Sequence, residues 1–247
     1  MSVIAITQVA GGVGATTLAT NLTNVWPAHS RILMELGVTG GSLIQIMGFD
    51  SRSCVIPPTL TDLVTNGYEF GSEGNTPASL SYGDMEEWEL PVVPGPVVPD
   101  FPRPGEPAWW QRRVDLAVES NLDVIVDMGR VAPEHMIIHN RILNSAAVIL
   151  VVVRNVSEAR TAVSRLTLYQ DRLAIAVISR LRSSPQEISE QLDGRECAEV
   201  LRFEDDIADH LWRGTLVTES KIKKPRKEYL DAVNQLAAYL QRAKPNV

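Results

Sequence analysis

Cysteine is scarce. The 247 residues hold two, Cys54 and Cys197, without the close spacing that grips a metal ion. That excludes a disulfide scaffold and a cysteine-rich zinc module, and it fits a reducing compartment. Net positive charge is also missing: Lys+Arg 23 against Asp+Glu 30 gives −7, with a pI near 5.2. A surface basic throughout, made for nucleic acid, is excluded, although a local basic patch is not. Long apolar runs are absent too. The longest, Ala146 to Val153, is eight residues, far short of the roughly 20 that cross a bilayer. The amino terminus enters an apolar run at once with no basic leader, so no signal peptide is expected and the expected location is cytoplasmic.

What is present is strand–helix alternation on a scale that suits one large α/β domain over residues 1–247. Val3-Ile-Ala-Ile6 is an uncharged run, as expected of a parallel strand buried on both faces. Gly11, Gly12 and Gly14 follow, and Thr16 and Thr17 open a helical pattern that runs to Trp26 and stops at Pro27. A strand, a glycine-rich turn and a helix start are the parts of a phosphate-binding loop: glycines let backbone N–H groups turn inward, and the helix terminus adds partial positive charge. Such a loop ordinarily ends Gly-Lys-Ser/Thr, its lysine reaching the β- and γ-phosphates. Here that position is Ala15.

The stretch AGGVGATT, Ala10 to Thr17, resembles the deviant P-loop of the MinD/ParA family, K-G-G-V-G-K-T-T, at six of eight positions. Both lysines have become alanine, Ala10 and Ala15. The resemblance implies a P-loop NTPase fold: a mostly parallel sheet with helices on both faces. In the family the first lysine reaches across a dimer to the partner's nucleotide, and the second holds the phosphates. Carried over, Gly11, Gly12, Val13, Gly14, Ala15, Thr16 and Thr17 would line the nucleotide, with Thr16 on the Mg²⁺-ligand position.

Arg31 to Leu36 reads as the second strand, and the family places an Asp-x-Asp pair at its end. Glu35 falls on the first position and Gly37 on the second, so the acid tied to the attacking water is gone. Leu122-Asp-Val-Ile-Val-Asp127 matches the family's Walker B strand, which puts Asp127 near the metal with Thr16 and Glu35. The plain alternative for Glu35 is a strand-end carboxylate held in a hydrogen bond. Arg130 either adds positive charge near the phosphates or is an ordinary surface arginine. Short helices are read at Leu43–Gly48 and Leu60–Val64, and a strand at Leu90–Pro94. A proline-rich connection over about 91–107 is either a spacer or a ligand for a partner.

Further helices are expected at His135–Asn144, Ser157–Tyr169, Pro185–Leu192 and Asp205–Arg213. Strands are expected at Ala147–Val153, Leu173–Ser179 and Cys197–Phe203. Ser179 stands where the family's asparagine reads the adenine edge, and Pro225 where a loop passes the base. Lys221-Ile-Lys-Lys-Pro-Arg-Lys227 carries five basic residues in seven. It reads as a solvated loop, as a patch for nucleic acid or acidic membrane, or as replacement cations. The closing helix carries Tyr229, Leu230, Val233, Leu236, Ala237 and Leu240 on one stripe, suited to packing on the sheet.

Ala10, Ala15, Gly37 and Ser179 depart from the family pattern together. The resemblance therefore implies a degenerate member with ATP/ADP and Mg²⁺ binding weakened and no hydrolysis. Such a protein would be a localisation or scaffolding module, TadZ/CpaE-like (pilus-assembly or secretion machinery) or actinobacterial MinD-like. Its partner would be a protein, or a second copy held without nucleotide. A weak ATPase and a DNA-binding partition protein using the basic loop are the alternatives.

Overall fold

The computed structural model describes residues 2–27, 31–37, 79–81, 89–93, 115, 122–133, 136–178, 183–200 and 224–242. The strands are β1 (Val3–Gln8), β2 (Arg31–Glu35), β3 (Ser79–Ser81), β4 (Glu89–Val93), β5 (Asp123–Arg130), β6 (Ala146–Val153), β7 (Leu173–Ile178) and β8 (Cys197–Val200). They form one sheet in the order β3-β4-β2-β5-β1-β6-β7-β8. Every neighbouring pair is parallel except β3 with β4. The described helices are α1 (Ala15–Val25), α2 (Met136–Ser145), α3 (Val156–Arg165), α4 (Pro185–Glu190) and α5 (Lys224–Arg242).

Alternation along β1 sets the two layers. Ile4 and Ile6 pack with Leu18 and Leu22 of α1 and with Val233 and Leu240 of α5. Val3 and Ala5 point the other way, into a second core with Ile142 and Leu143 of α2 and Ala159 and Ala162 of α3. Helices thus cover both faces, as a parallel sheet requires. The stripe read on the closing helix is buried in the first core.

Helix α1 lies between sheet and α5, and even its polar residues Thr20, Asn21 and Thr23 are buried. Each donates to the carbonyl four residues back (Thr16, Thr17 and Ala19) at 2.8–2.9 Å.

Three expectations change. The single helix read over 157–169 is α3 followed by a 3₁₀ segment, Thr167–Arg172, with Tyr169 outside helical geometry at φ −122°. The Thr167 hydroxyl donates to the carbonyls of Val163 and Ser164 and competes with the helical ladder, while Tyr169 turns into the core. The proline-rich connection starts inside β4. Pro91 pairs with Ser79 of the edge strand, before the β2 ladder begins at Val92, so its missing N–H breaks no central bond. The basic loop is helical in its last four residues. Lys224, Pro225, Arg226 and Lys227 open α5, and a first-turn proline loses nothing, because its N–H would have no intrahelical acceptor. Pro225, expected in a loop, stands instead in the first turn of α5. The elements read at 43–48, 60–64 and 205–213, the connection at 94–107, Ser179 and Lys221 to Lys223 lie outside the described residues.

At the amino end of the sheet a buried polar pair pins α1 to β5. The Trp26 indole Nε1–H donates to Asp123 Oδ2 at 2.9 Å, and the Ser2 hydroxyl donates to Oδ1 at 2.9 Å. Asp123→Ala removes the acceptor of a fully buried indole, which costs about 1–3 kcal/mol. Chemical denaturation should show a lower midpoint with the slope unchanged; an unaltered midpoint would show that the pair contributes nothing.

Candidate functional site

β1 lies between β5 and β6, the place where the chain's path across the sheet reverses direction. In open α/β sheets ligands bind at the carboxyl ends of strands flanking such a point. The loop from Val9 to Gly14 leaves β1 there. Val9 and Val13 are buried and pin it to opposite cores. Gly12 (φ +73°) and Gly14 (φ +88°) take the left-handed conformation that a side chain would strain. Gly14 caps α1 without a side chain, and its carbonyl accepts the Leu18 N–H at 2.9 Å. The N–H groups of Ala15, Thr16 and Thr17 precede that bond and have no intrahelical acceptor. A Cβ built on Gly11 or Gly12 would meet nothing within 4 Å, so the space over the loop is open.

Asp127, at the neighbouring strand end, is only 1% exposed. Burial pushes its carboxyl up from the ordinary value, and the Thr16 hydroxyl and the Gly129 N–H, both hydrogen-bonded to it, pull it back down. The Gly129 bond is 2.9 Å to Oδ1. Glu35 is paired in register with Asp127 and is also buried. Thr16 is thus bonded to Asp127, and Glu35 lies beside Asp127 in register on the α1 side of the sheet. Two carboxylates and a hydroxyl are hard oxygen donors suited to Mg²⁺ with waters and phosphate oxygens. Among the described residues no cluster of three or more His, Cys, Asp or Glu forms a metal cage.

The loop itself carries no lysine. Ala15 is 1% exposed, its methyl in the core shared with Leu18 and Leu22, and Ala10 is half-buried. Gly37 runs against the bulged end of β5: a Cβ on Gly129 would stand 3.5 Å from its Cα. Sequence reading passed over Gly129 (φ +63°), which anchors this corner through Asp127 and accepts the Thr7 hydroxyl on its carbonyl at 2.9 Å. The available signal was a lone glycine in a strand pattern, which marks a bulge. Sequence reading also gave the adjacent Arg130 no definite orientation.

A glycine loop at a switch point, leading into a helix and flanked by a buried aspartate, defines a P-loop NTPase-type fold. No protein-family model and no curated protein matches the chain by sequence. Solved structures do match by shape. A ParA family ATPase from Chlorobium tepidum TLS is 17% identical, with a TM-score of 0.67 over 96% of this chain and 99% of that one. MinD in the MinC:MinD cell division complex of Aquifex aeolicus is 19% identical, with a TM-score of 0.64 over 97% and 96%. The septum site-determining protein MinD from Pyrococcus horikoshii OT3, complexed with Mg-ADP, is 16% identical, with a TM-score of 0.64 over 100% and 99%. The fold is that of the MinD/ParA proteins, in a single α/β domain. Among the described residues no helix is long and apolar enough to cross a membrane.

Because the folded state raises the Asp127 pKa, its contribution to stability is full in acid and is lost as pH rises through that pKa. Asp127→Asn cannot ionise, yet keeps an acceptor for Gly129 and a partner for Thr16. The ligand-free variant should melt higher than wild type at pH 7, by about 2–4 °C per kcal/mol gained. The gap should close below about pH 3.9. A variant that melts lower at pH 7 would show that the ionised carboxylate stabilises the corner.

Proposed function

We propose that this chain is a degenerate MinD/ParA-like module that holds Mg-nucleotide weakly, does not hydrolyse it, and works by docking as a localisation or scaffolding protein. One observation carries the reading: the phosphate cradle is built, yet residue 15 at its helix start is an alanine with its methyl in the core. A charge-assisted hydrogen bond to phosphate contributes about 1.5–3 kcal/mol, so two absent lysines weaken binding by roughly two to four orders of magnitude. Gly37, where the family carries its second strand-end acid, removes the group that would help the attacking water. The fold neighbour complexed with Mg-ADP supports a nucleotide as the ligand, held by the loop from Gly11 to Thr17, with Thr16, Asp127 and Glu35 toward the Mg²⁺.

With Ala10 unable to cross to a partner's phosphate, any homodimer forms without nucleotide. The work that fits is that of the TadZ/CpaE group, which positions pilus-assembly or secretion machinery in the cytoplasm. A weak ATPase is the second reading, favoured by the retained Thr16–Asp127 bond. A DNA-binding role rests on the 221–227 stretch alone, whose last four residues are the start of α5 rather than a loop.

Purified protein should release phosphate from ATP no faster than a heat-killed control, and its mass by light scattering should not change on adding Mg-ATP. Turnover that disappears in Asp127→Ala would overturn the reading and establish the ATPase. An ATP-driven shift from monomer to dimer would remove the nucleotide-independent assembly.

A further inference from the structure

The register of β5 against β1 slips by one residue at its carboxyl end. Ile6 is opposite Asp127, but Gln8 is opposite Arg130. Two residues of β1 thus face three of β5, which is a β-bulge, and bulges re-aim the side chains that follow them. Without it, Arg130 would share the face of Val124, Val126 and Met128, which lie in the α2/α3 core. With it, Arg130 shares the face of its partner Gln8. Gln8 in turn is opposite Val152 of β6, a residue of the α1/α5 core. The next residue agrees: Val131 is back in the α2/α3 core, so Arg130 points the other way, to the side of α1 and the glycine loop.

The bulge is fastened at three points. Gly129 N–H donates to Asp127 at 2.9 Å, Thr7 donates to the Gly129 carbonyl at 2.9 Å, and Val131 N–H donates to the Gln8 carbonyl at 2.8 Å. Its left-handed position is a glycine. Arg130 itself is exposed and makes no hydrogen bond or ion pair among the described residues. The other arginine on this rim, Arg154 after β6, is taken: its guanidinium donates to Glu158 Oε1 at 2.9 and 2.6 Å. Gln8, beside Arg130, has a buried Oε1 with no partner among the described residues.

We infer that Arg130 is the cation of this phosphate cradle. The Gly129 bulge turns its guanidinium onto the loop side, where it binds the terminal phosphate of a nucleotide in place of the lysine missing at Ala15. The inference rests on reading the loop as a weakened phosphate site, and it names the residue on which the remaining affinity depends. A planar fork of N–H donors suits a phosphate arriving from a neighbouring strand end, whereas a P-loop lysine acts as a point charge from within the loop.

The test is calorimetric titration of the full chain with Mg-ATP, inorganic tripolyphosphate and adenosine. Wild type should bind ATP and tripolyphosphate better than adenosine. Arg130→Ala should lose about tenfold or more for both phosphate ligands, with adenosine and the ligand-free melting temperature unchanged. Arg130→Lys should fall between them. The inference is overturned if Arg130→Ala binds ATP as wild type does, or if wild type prefers neither phosphate ligand to adenosine at millimolar concentration. The weakened, non-hydrolysing reading stands if Arg130→Ala binds ATP as wild type does, whereas a wild type with no preference for phosphate removes the phosphate site itself. The non-hydrolysing reading falls instead to sustained phosphate release by wild type, a result that leaves the Arg130 comparison readable.

Discussion

The corner around Asp127 depends on one buried carboxylate. Water is excluded there, so a charge needs donors, and it has two: the Thr16 hydroxyl from α1 and the Gly129 N–H from its own strand. The first bond fixes the start of α1 over the end of β5. The second fixes the bulge that lets the Thr7 hydroxyl reach across from β1. Elements α1 and β5, distant in sequence, meet at this side chain, and β1 joins them through Gly129. The backbone agrees, since Leu36 N–H at the exit of β2 donates to the Asp127 carbonyl at 2.8 Å. The carboxylate orders the rim as well as occupying it, and that order is purchased with desolvation that protonation or a bound cation would relieve.

Much of this was legible in the sequence, for a physical reason. Parallel strands are buried on both faces and so favour uncharged β-branched runs, such as Val3 to Ile6, Val124 to Val126 and Ala146 to Val153. The loop was legible because Gly12 and Gly14 need left-handed backbone that other residues avoid. Thr16 and Asp127 came from motif position, and the structure joins them. The bulge was not legible: a one-residue slip depends on how two distant strands align, and no local periodicity records it. The same slip decides on which face Arg130 emerges. The start of α5 was misread because lysines and a proline suit both a loop and a first helical turn, and packing of Tyr229 and Leu230 beyond them settles the difference.

A glycine loop with alanine at positions 10 and 15 raises the question of what holds the loop in shape. The packing answers part of it. Val9 and Val13 anchor the loop in the two cores, and α1, which the loop introduces, is buried along most of its length between sheet and α5. Any replacement must deliver the chain from β1 to the same helix start in the same few residues. Left-handed glycines do that at little steric cost. The fold therefore constrains the cradle whether or not phosphate enters it, whereas nothing in the packing constrains residue 15 to carry a charge.

Charge separates the two roles. Glu35 and Asp127 sit side by side, buried, on the loop's face of the sheet, and no lysine stands in the loop to balance them. A bare polyphosphate would meet repulsion from any carboxylate left ionised, with attraction only from the helix terminus, a partial charge of about half a unit. A divalent cation held by Glu35 and Asp127 would supply the opposing charge, so under the proposed reading affinity would be coupled to the metal more tightly than in a lysine-bearing loop. An arginine on the exposed side of the phosphate adds attraction there without entering the carboxylate pocket. On the proposed reading the strand-end acids would take the metal and the guanidinium would take the solvent side of the phosphate.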